Sequence, residues 1–144
     1  MVRRATKGEI ARADGTLPFD RLDQPGLCSW WIAWDGEEPV GHARLVLDDP
    51  PELQNVWVVP AQRRHGVCRA LATAAEREAR DRGHSRLRVT VSETNLAGQA
   101  VWRRLGFVST GEAPERMQKT IVLRGRPLAI DDTLLALEKR LLAN

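Results

Sequence analysis

The sequence predicts a single-domain α/β (α+β) fold in which a mixed, mostly antiparallel sheet is flanked by helices. Three observations support this prediction: β-rich runs in the first half of the chain, a helical pattern after them, and a return to strand-like segments. The chain has 144 residues, of which 42% are hydrophobic and 28% charged, as in an ordinary globular domain. We expect the element order βββαβαββ, counted from residue 28.

Three strands are predicted before the first long helix. The β-rich runs cover residues 29–34, 40–47 and 52–59. Asp35 and Gly36, a hairpin-turn signal, lie between the first two runs, so these are expected to pair as antiparallel strands. Turn-forming residues at 48–51 separate the second strand from the third.

The second half of the chain is predicted to alternate helices with strands. From Val67 to Arg82 apolar residues recur on one helical face, and Gly83 is a typical helix terminator. The remaining elements are a strand at residues 86–92, a short helix at 95–105 and a closing hairpin formed by 107–112 and 115–123.

The tail after residue 123 is predicted as a linker followed by an amphipathic helix. Its apolar stripe consists of Leu134, Leu135, Leu137, Leu141 and Leu142. Asp131 or Asp132 can cap this helix. We therefore divide the chain into a domain of residues 1–123 and a tail of 124–144. The leucines of the tail are covered either by the domain itself or by a second copy in a homodimer.

Composition and charge argue against several classes of protein. The formal net charge is only +3, so no dedicated nucleic-acid surface is expected. No apolar run is long enough to span a bilayer, and the first ten residues lack the apolar core of a signal peptide; we expect a cytoplasmic protein without a membrane partner. Cys28 and Cys68 are too few for a disulfide framework and lack companion ligands for zinc, so no metal is expected.

A basic stretch, residues 60–68, lies where the third strand leads into the long helix. A helix start exposes unpaired backbone N–H groups and the positive end of the helix dipole, which favours phosphate. Gly66 lets the backbone approach a pyrophosphate, and Arg63, Arg64 and His65 add positive charge. On these residues alone, a solvated basic turn is an equally good interpretation.

Two motifs occur in order on elements of matching type. Residues 58–68 follow the pattern V-x-P and then R/Q-x-x-G-x-G/A, with Cys68 as the last small residue. Residues 95–107 follow N-x-x-A-x-x-x-Y-x-x-x-G-F, with Gly98 in the alanine place and Trp102 in the tyrosine place. With these motifs the chain resembles, over roughly residues 28–123, the GNAT superfamily of acetyl-CoA-dependent N-acetyltransferases.

The resemblance implies that the chain transfers an acetyl group from acetyl-CoA to a primary amine of a small molecule or peptide. It implies that Val58 binds the pantetheine arm and points its N–H at the thioester carbonyl, and that Asn95 reaches the same arm. The residues implied to hold the coenzyme A pyrophosphate are Arg63, Arg64, His65, Gly66, Val67, Cys68 and Arg69.

Two departures from the family pattern bear on the chemistry. The Cys68 thiol is placed at a helix N-terminus, where a lowered pKa is plausible, although a small buried filler is the favoured interpretation. The whole chain lacks tyrosine, and the indole of Trp102 donates a hydrogen bond but supplies no proton to a departing thiolate. We expect Trp102 to pack in the core or to form a wall beside the thioester, from which the thiolate leaves as its anion.

An amine acceptor must lose a proton before it attacks, so a base is expected on the acceptor side, acting directly or through water. Glu52 is the first candidate, because two-residue alternation places it on one face with Gln54, Val56 and Val58. The alternative is that Glu52 is only a solvated carboxylate at a strand end. Glu93 is the second candidate and His42 the third.

Two other functions are considered. An acyl-CoA-binding or regulatory module without turnover is compatible with the missing tyrosine. A nucleic-acid binder that uses the arginine-rich face of residues 63–82 is weaker, because Glu76, Glu78 and Asp81 interrupt that face. Residues 7–27 carry no interpretable motif, so the acceptor is not predicted; the shortness of this segment suggests an open acceptor side.

Overall fold

The computed structural model describes residues 1–19, 27–123 and 125–141, without the side chain of Leu123. The strands are β1 (Val2–Arg4), β2 (Cys28–Asp35), β3 (Glu38–Val46), β4 (Glu52–Val58), β5 (Arg86–Ser92), β6 (Val108–Ser109), β7 (Glu115–Leu123) and β8 (Arg126–Arg140). The helices are α1 (Lys7–Ala13), α2 (Val67–Asp81) and α3 (Leu96–Arg104), with a short 3-10 turn at Pro60–Gln62. The predicted mixed, mostly antiparallel sheet flanked by helices is confirmed.

The strands form one sheet in the order β1-β2-β3-β4-β5-β8-β6, and β7 pairs with β8. Each pairing is antiparallel except that of β4 with β5, which is parallel. The sheet carries a core cluster on each face. The larger cluster, which α2 covers, includes Leu45, Leu53, Leu71, Leu87 and Leu137. The smaller cluster, next to α1, consists of Ala13, Leu17, Phe19, Trp30, Ile32 and Trp34.

The predicted C-terminal helix is wrong, because residues 126–140 form strand β8. Leu135, Leu137 and Leu141 pack into the larger cluster, and their spacing of two and four residues places them on one face of a strand. Pairing of β8 with β5 and β7 satisfies backbone groups that a helix would leave open at those strands. The homodimer considered as one of two ways to cover the tail leucines was based on a helix, which β8 replaces. Leu142 lies outside the described residues.

The predicted closing hairpin is also wrong in its partners. Strands β6 and β7 do not pair with each other; each pairs with β8. In place of the expected linker, β8 begins at Arg126, which is paired with Leu123, and Gly125 has a φ of 76°. None of the helices in the described part of the chain is long and apolar enough to cross a bilayer.

Helix α2 is fixed to the sheet by a half-buried carboxylate. Glu78 accepts hydrogen bonds from Ser29 Oγ at 2.7 Å, Trp31 Nε1 at 3.0 Å and Arg82 Nε at 2.8 Å. Burial alone would raise the pKa of Glu78, but these donors outweigh it and lower the pKa below its ordinary value. At the other edge of the helix, Lys139 Nζ donates to Glu76 at 2.9 Å. The acidic residues of α2 thus orient the helix on the sheet.

Gly41 allows β3, β4 and α2 to approach one another closely. A Cβ at this position would lie 2.9 Å from the backbone oxygen of Trp57 and 3.3 and 3.4 Å from side-chain atoms of Val67 and Leu71. Because the nearest of these atoms belongs to the backbone, it cannot move aside cheaply. The position of α2 over the end of β4 therefore depends on the missing side chain.

We expect Gly41→Ala to lower the free energy of unfolding by about 1–3 kcal/mol, the usual cost of forcing extra atoms into a packed core. Gly15→Ala is the matched control, because a Cβ there meets nothing within 4 Å. Thermal unfolding of both variants measures the effect. Equal melting temperatures for the two would show that β3 and α2 do not depend on this contact.

Candidate functional site

A cleft opens in the sheet where β4 and β5 separate. The two strands pair only at Glu52 and Arg88, next to a hydrogen bond of 2.9 Å from Arg88 N to Pro51 O. Beyond this point they enclose a cavity of about 790 Å³. Side chains of both strands line it, together with Trp102 of α3 and one face of the β7–β8 hairpin. Two other cavities among the described residues are smaller, at about 330 and 300 Å³.

A β-bulge in β4 shapes this cleft. In the register with β3, Trp57 is opposite His42 and Gln54 is opposite Arg44, so β4 contains one extra residue between them. Asn55 has a φ of 48° at this point, a conformation that asparagine tolerates better than most residues. The bulge reverses which face each later side chain occupies.

The alternation predicted for β4 is wrong, because the bulge interrupts it. Leu53 and Val58 both pack into the larger cluster although they are five residues apart, and Val56 packs there as well. Glu52 and Gln54 lie on the opposite face. Glu52 therefore does not share a face with Val56 and Val58, because the alternation of a regular strand does not continue through an inserted residue.

The backbone of Val58 is oriented toward the cleft. Val59 N donates to Val40 O at 2.8 Å, so the N–H of Val59 points toward β3. Successive N–H groups of a strand point to opposite sides, and the N–H of Val58 consequently points toward the side from which β5 has separated. The carbonyl of Val58 is on the same side and accepts a hydrogen bond from Arg63 Nε at 3.0 Å.

His42 holds the bulge and is not a suitable base. Its side chain is completely buried, and Nδ1 lies 2.7 Å from Asn55 O; because a carbonyl only accepts, Nδ1 carries the hydrogen. The ring stacks on Phe19 at a centroid distance of 4.5 Å. Burial lowers the pKa of His42 to about 4, so the imidazole is neutral at pH 7.

The other two candidate bases occupy different environments. Glu52 lines the cleft and accepts a hydrogen bond from Thr90 Oγ1 at 2.9 Å. Glu93 is exposed and does not line the cleft; its backbone N–H donates to Thr133 O at 2.9 Å. Of the three candidates, Glu52 alone is placed in the cleft.

The basic stretch is a surface loop ahead of α2. Helix α2 begins at Val67 after Arg64 and Gly66, which have φ values of 65° and 81°. The basic side chains of the loop and of the first turn of α2 are exposed: Arg63, Arg64, His65 and Arg69. These residues do not line the cleft; His65, Gly66 and Val67 line a separate cavity of about 300 Å³.

Arg63 connects the loop to the cleft. Besides its hydrogen bond to the Val58 carbonyl, its guanidinium carbon lies 5.6 Å from the ring centroid of Trp57, a residue that lines the cleft. The cation–π contact and the hydrogen bond together fix Arg63 across the end of β4. Cys68, the second residue of α2, is partly buried, and this burial raises the pKa of its thiol. The lowered pKa considered for this thiol is therefore not found.

Asn95 and Trp102 occupy the far wall of the cleft. Asn95 caps α3, with Oδ1 accepting from Gly98 N at 2.9 Å. A Cβ at residue 98 would lie 2.5 Å from Asn95 Nδ2, so Gly98 leaves room for the capping side chain. Trp102 packs edge-on against Phe107 at a centroid distance of 5.4 Å and reaches both the larger cluster and the cleft.

Several charged cleft residues were missed by the sequence analysis. Arg88 is paired with Glu112 at 2.9 Å and with Glu138 at 2.7 Å. Asp132 accepts from Ser92 Oγ at 2.9 Å. Two of these acids belong to β8, which was predicted as a helix, so no local pattern could have placed them beside β5.

Comparisons with known proteins identify the family and related sequences. The model of the acetyltransferase (GNAT) family matches residues 4–107. Human N-acetyltransferase 8 is 30% identical over 99 aligned residues, which cover 64% of this chain and 43% of the relative. The chain thus spans less than half the length of the curated relatives that it matches.

Solved structures share the fold at low sequence identity. The ribosomal-protein-S18-alanine N-acetyltransferase of Escherichia coli has a TM-score of 0.72 and 19% identity, with 100% of this chain and 96% of that chain covered. A GNAT family acetyltransferase of Elizabethkingia anophelis with acetyl-CoA bound has a TM-score of 0.69 and 15% identity, with 98% and 97% covered.

The buried state of His42 predicts a pH dependence of stability. Because the folded-state pKa is about 4, below the ordinary value of 6.5, the stabilisation is complete above pH 6.5 and is lost as the pH falls toward 4; the full loss is on the order of 3 kcal/mol. We expect His42→Gln to show a smaller fall in unfolding free energy from pH 7.5 to 5.0 than wild type. Denaturant unfolding at both pH values measures it.

His84→Gln is the control for this measurement, because His84 lies at the surface near Asp49. It should retain the pH dependence of the wild-type protein. A His42→Gln protein with the full wild-type dependence would show that the pKa of His42 is the same in the folded and unfolded states.

Proposed function

This chain belongs to the acetyltransferase (GNAT) family, and on that premise we propose that it transfers an acetyl group from acetyl-CoA to a primary amine. The opening between β4 and β5, toward which the N–H of Val58 points, is the observation that best supports the proposal. A neutral amine attacks the thioester carbonyl directly, and the Val58 N–H stabilises the negative charge that develops on the carbonyl oxygen.

The basic loop is suited to the pyrophosphate of the cosubstrate. The first turn of α2 contains no acidic residue, and its N-cap, Gly66, has no side chain that would compete for the N–H groups. Arg64, His65 and Arg69 are exposed around it. We assign Arg63 a double role, because it belongs to this loop and also bonds the Val58 carbonyl. Val67 and Cys68 contribute backbone N–H groups.

Glu52 is the proposed base and acts through water. It is separated from Val58 by six residues of strand, roughly 20 Å at the usual rise, so direct transfer of a proton from an amine beside Val58 is too distant. The cavity that Glu52 lines extends along β4 as far as Trp57 and has room for ordered water, and Gln54 lies on the same face as Glu52. Thr90 holds the carboxylate in place through its hydroxyl.

Trp102 and Asn95 complete the far wall. Trp102 occupies the position of the acid expected from the family pattern, but its indole supplies no proton. Coenzyme A therefore leaves as the thiolate, which is a tolerable leaving group because the pKa of a thiol is about 8.5. The amide Nδ2 of Asn95 is proposed to donate to the pantetheine arm, while its Oδ1 caps α3.

A binding or regulatory module without turnover is the second candidate. The absence of tyrosine from the chain favours it, because the position that would supply the acid holds Trp102. Steady release of free thiol in the presence of an amine distinguishes the enzyme from the module. The acceptor is a small-molecule or peptide amine, and the cytoplasmic location stays a prediction.

Acetyl-CoA should raise the melting temperature of the protein. At a concentration 100-fold above Kd the stabilisation is about 2.7 kcal/mol, or several degrees. Gly66→Glu should abolish the shift, because it places bulk and negative charge beside the pyrophosphate site. Gly83→Glu is the matched control: both glycines have positive φ, 81° and 89°, and open space around a Cβ. A full shift in Gly66→Glu would place the coenzyme elsewhere.

Glu52→Gln should reduce the acetylation rate, by about 10²-fold or more at pH 7 if the base is essential. The loss should shrink toward pH 9.5, because more of the acceptor is then already neutral. Thiol release from acetyl-CoA with a primary amine, followed across pH, gives the measurement. Glu93→Gln should behave as wild type. An unchanged pH–rate profile in Glu52→Gln would remove this carboxylate from the mechanism.

A further inference from the structure

We propose that the acceptor is a primary amine with a linear apolar chain, and that the β7–β8 hairpin holds this chain. The inference rests on the proposed acetyl transfer and adds the class of acceptor. It follows from the shape of the hairpin, from the side chains on one of its faces, and from the charges at the cleft into which that face leads.

The hairpin extends beyond the rest of the sheet. Residues 134–140 of β8 pair with β5, whose last pair is Ser92 with Leu134. From residue 133 to residue 126, β8 pairs only with β7 in the described register. The two strands therefore leave the sheet as a two-stranded ribbon that begins at the cleft.

One face of this ribbon continues the wall of the cleft. Glu115, Met117 and Lys119 of β7 line the cavity, as do Ile130, Asp132 and Leu134 of β8. Alternation along β7 places Ile121 on the same face, and the register pairs Ile121 with Leu128. We call Met117, Ile121, Leu128 and Ile130 the apolar strip.

The apolar strip is open to solvent. Leu128 is 46% exposed, and Ile121 and Ile130 are partly exposed. Lys119 lies on the same face and is exposed, so its aliphatic stem can extend the apolar surface while its ammonium group stays in water. The strip is continuous with the cleft. When the amine of the acceptor lies in the cleft, the rest of the acceptor, its alkyl chain, is therefore proposed to lie along the strip.

The charges of the cleft suit the other end of such a molecule. Arg88 is neutralised by Glu112 and Glu138. Glu52 and Asp132 accept hydrogen bonds from hydroxyl groups and, for Asp132, from Thr133 N, and neither has an ion-pair partner among the described residues. An amine that arrives protonated meets these carboxylates at the start of the strip.

The strip also limits the length of the chain. Four residues of strand separate Asp132 from Leu128, about 13 Å at the usual rise. An alkyl chain of comparable length would lie along Ile130 and Leu128 with its amine in the cleft. A second charge at the far end would be placed against Leu128 and Ile121 and would lose hydration there.

The experiment compares n-butylamine, n-octylamine and 1,8-diaminooctane as acceptors of acetyl-CoA. We expect kcat/KM for n-octylamine to exceed that for n-butylamine at least about tenfold, because each fully buried methylene group is worth about fourfold. The diamine should fall below n-octylamine. Equal values for the two monoamines, or a diamine better than n-octylamine, would overturn the inference and leave acetyl transfer intact.

Two variants locate the effect. Leu128→Ser should reduce the octylamine-to-butylamine ratio several-fold. Val122→Ser, on the opposite face of the same hairpin at a residue that is 54% exposed, should leave the ratio unchanged. Equal ratios in both variants would show that the chain lies elsewhere.

Binding provides a readout that does not depend on turnover. Trp57 and Trp102 line the cleft, so tryptophan fluorescence can report the Kd of each amine in the absence of acetyl-CoA. If no amine is acetylated, the proposed function fails, and the Kd values still decide the inference: tighter binding of n-octylamine that is lost in Leu128→Ser supports it, and equal Kd values for the monoamines overturn it.

Discussion

The site depends on the separation of two neighbouring strands in the middle of a sheet. Strands β4 and β5 share one pair, Glu52 with Arg88, and then part. Backbone groups along such an interrupted edge need other partners. Arg63 provides one such partner by donating to the Val58 carbonyl at 3.0 Å. The N–H of Val58 faces the same opening. The gap is thus a structural feature that the basic loop helps to maintain, and it presents backbone donors to a ligand.

The bulge in β4 is what allows the two faces of the sheet to serve different purposes. It turns Val58 into the larger core cluster under α2 and leaves Glu52 on the opposite, cleft-lining face. His42 supports it by donating to Asn55 O from a fully buried position. A charged imidazole would be costly in these surroundings, so a neutral ring with one defined tautomer is the stable state.

The charges along the molecule are complementary to those of the proposed substrates. Exposed cations surround the start of α2, where an anionic cosubstrate is proposed to bind. Glu52 and Asp132, which have no ion-pair partner in the described part of the chain, line the cleft through which an amine is proposed to approach. Arg88 lines the same cleft, but its charge is paired with those of Glu112 and Glu138. Each end of the site therefore attracts a ligand of the opposite sign.

Much of the fold and of the candidate site could be predicted from the sequence. Strands β2 to β5 and helices α2 and α3 were placed within a few residues, because their periodicity and turn signals are local. Both motifs were located on the correct elements. The alternation in β4 failed at Asn55, because a bulge is determined by the register with β3 and leaves little trace in the strand itself.

The sequence by itself determined the family, the strand-to-helix loop and the absence of a tyrosine at residue 102, since these depend on residue identity and spacing. The tertiary structure decided the rest. The leucines of the tail fit both a helical and a strand period, and only pairing with β5 and β7 makes β8 a strand. That pairing brings Asp132 and the β7–β8 hairpin to the cleft. The free energy of pairing between segments far apart in the chain depends on both segments, and no local pattern specifies it.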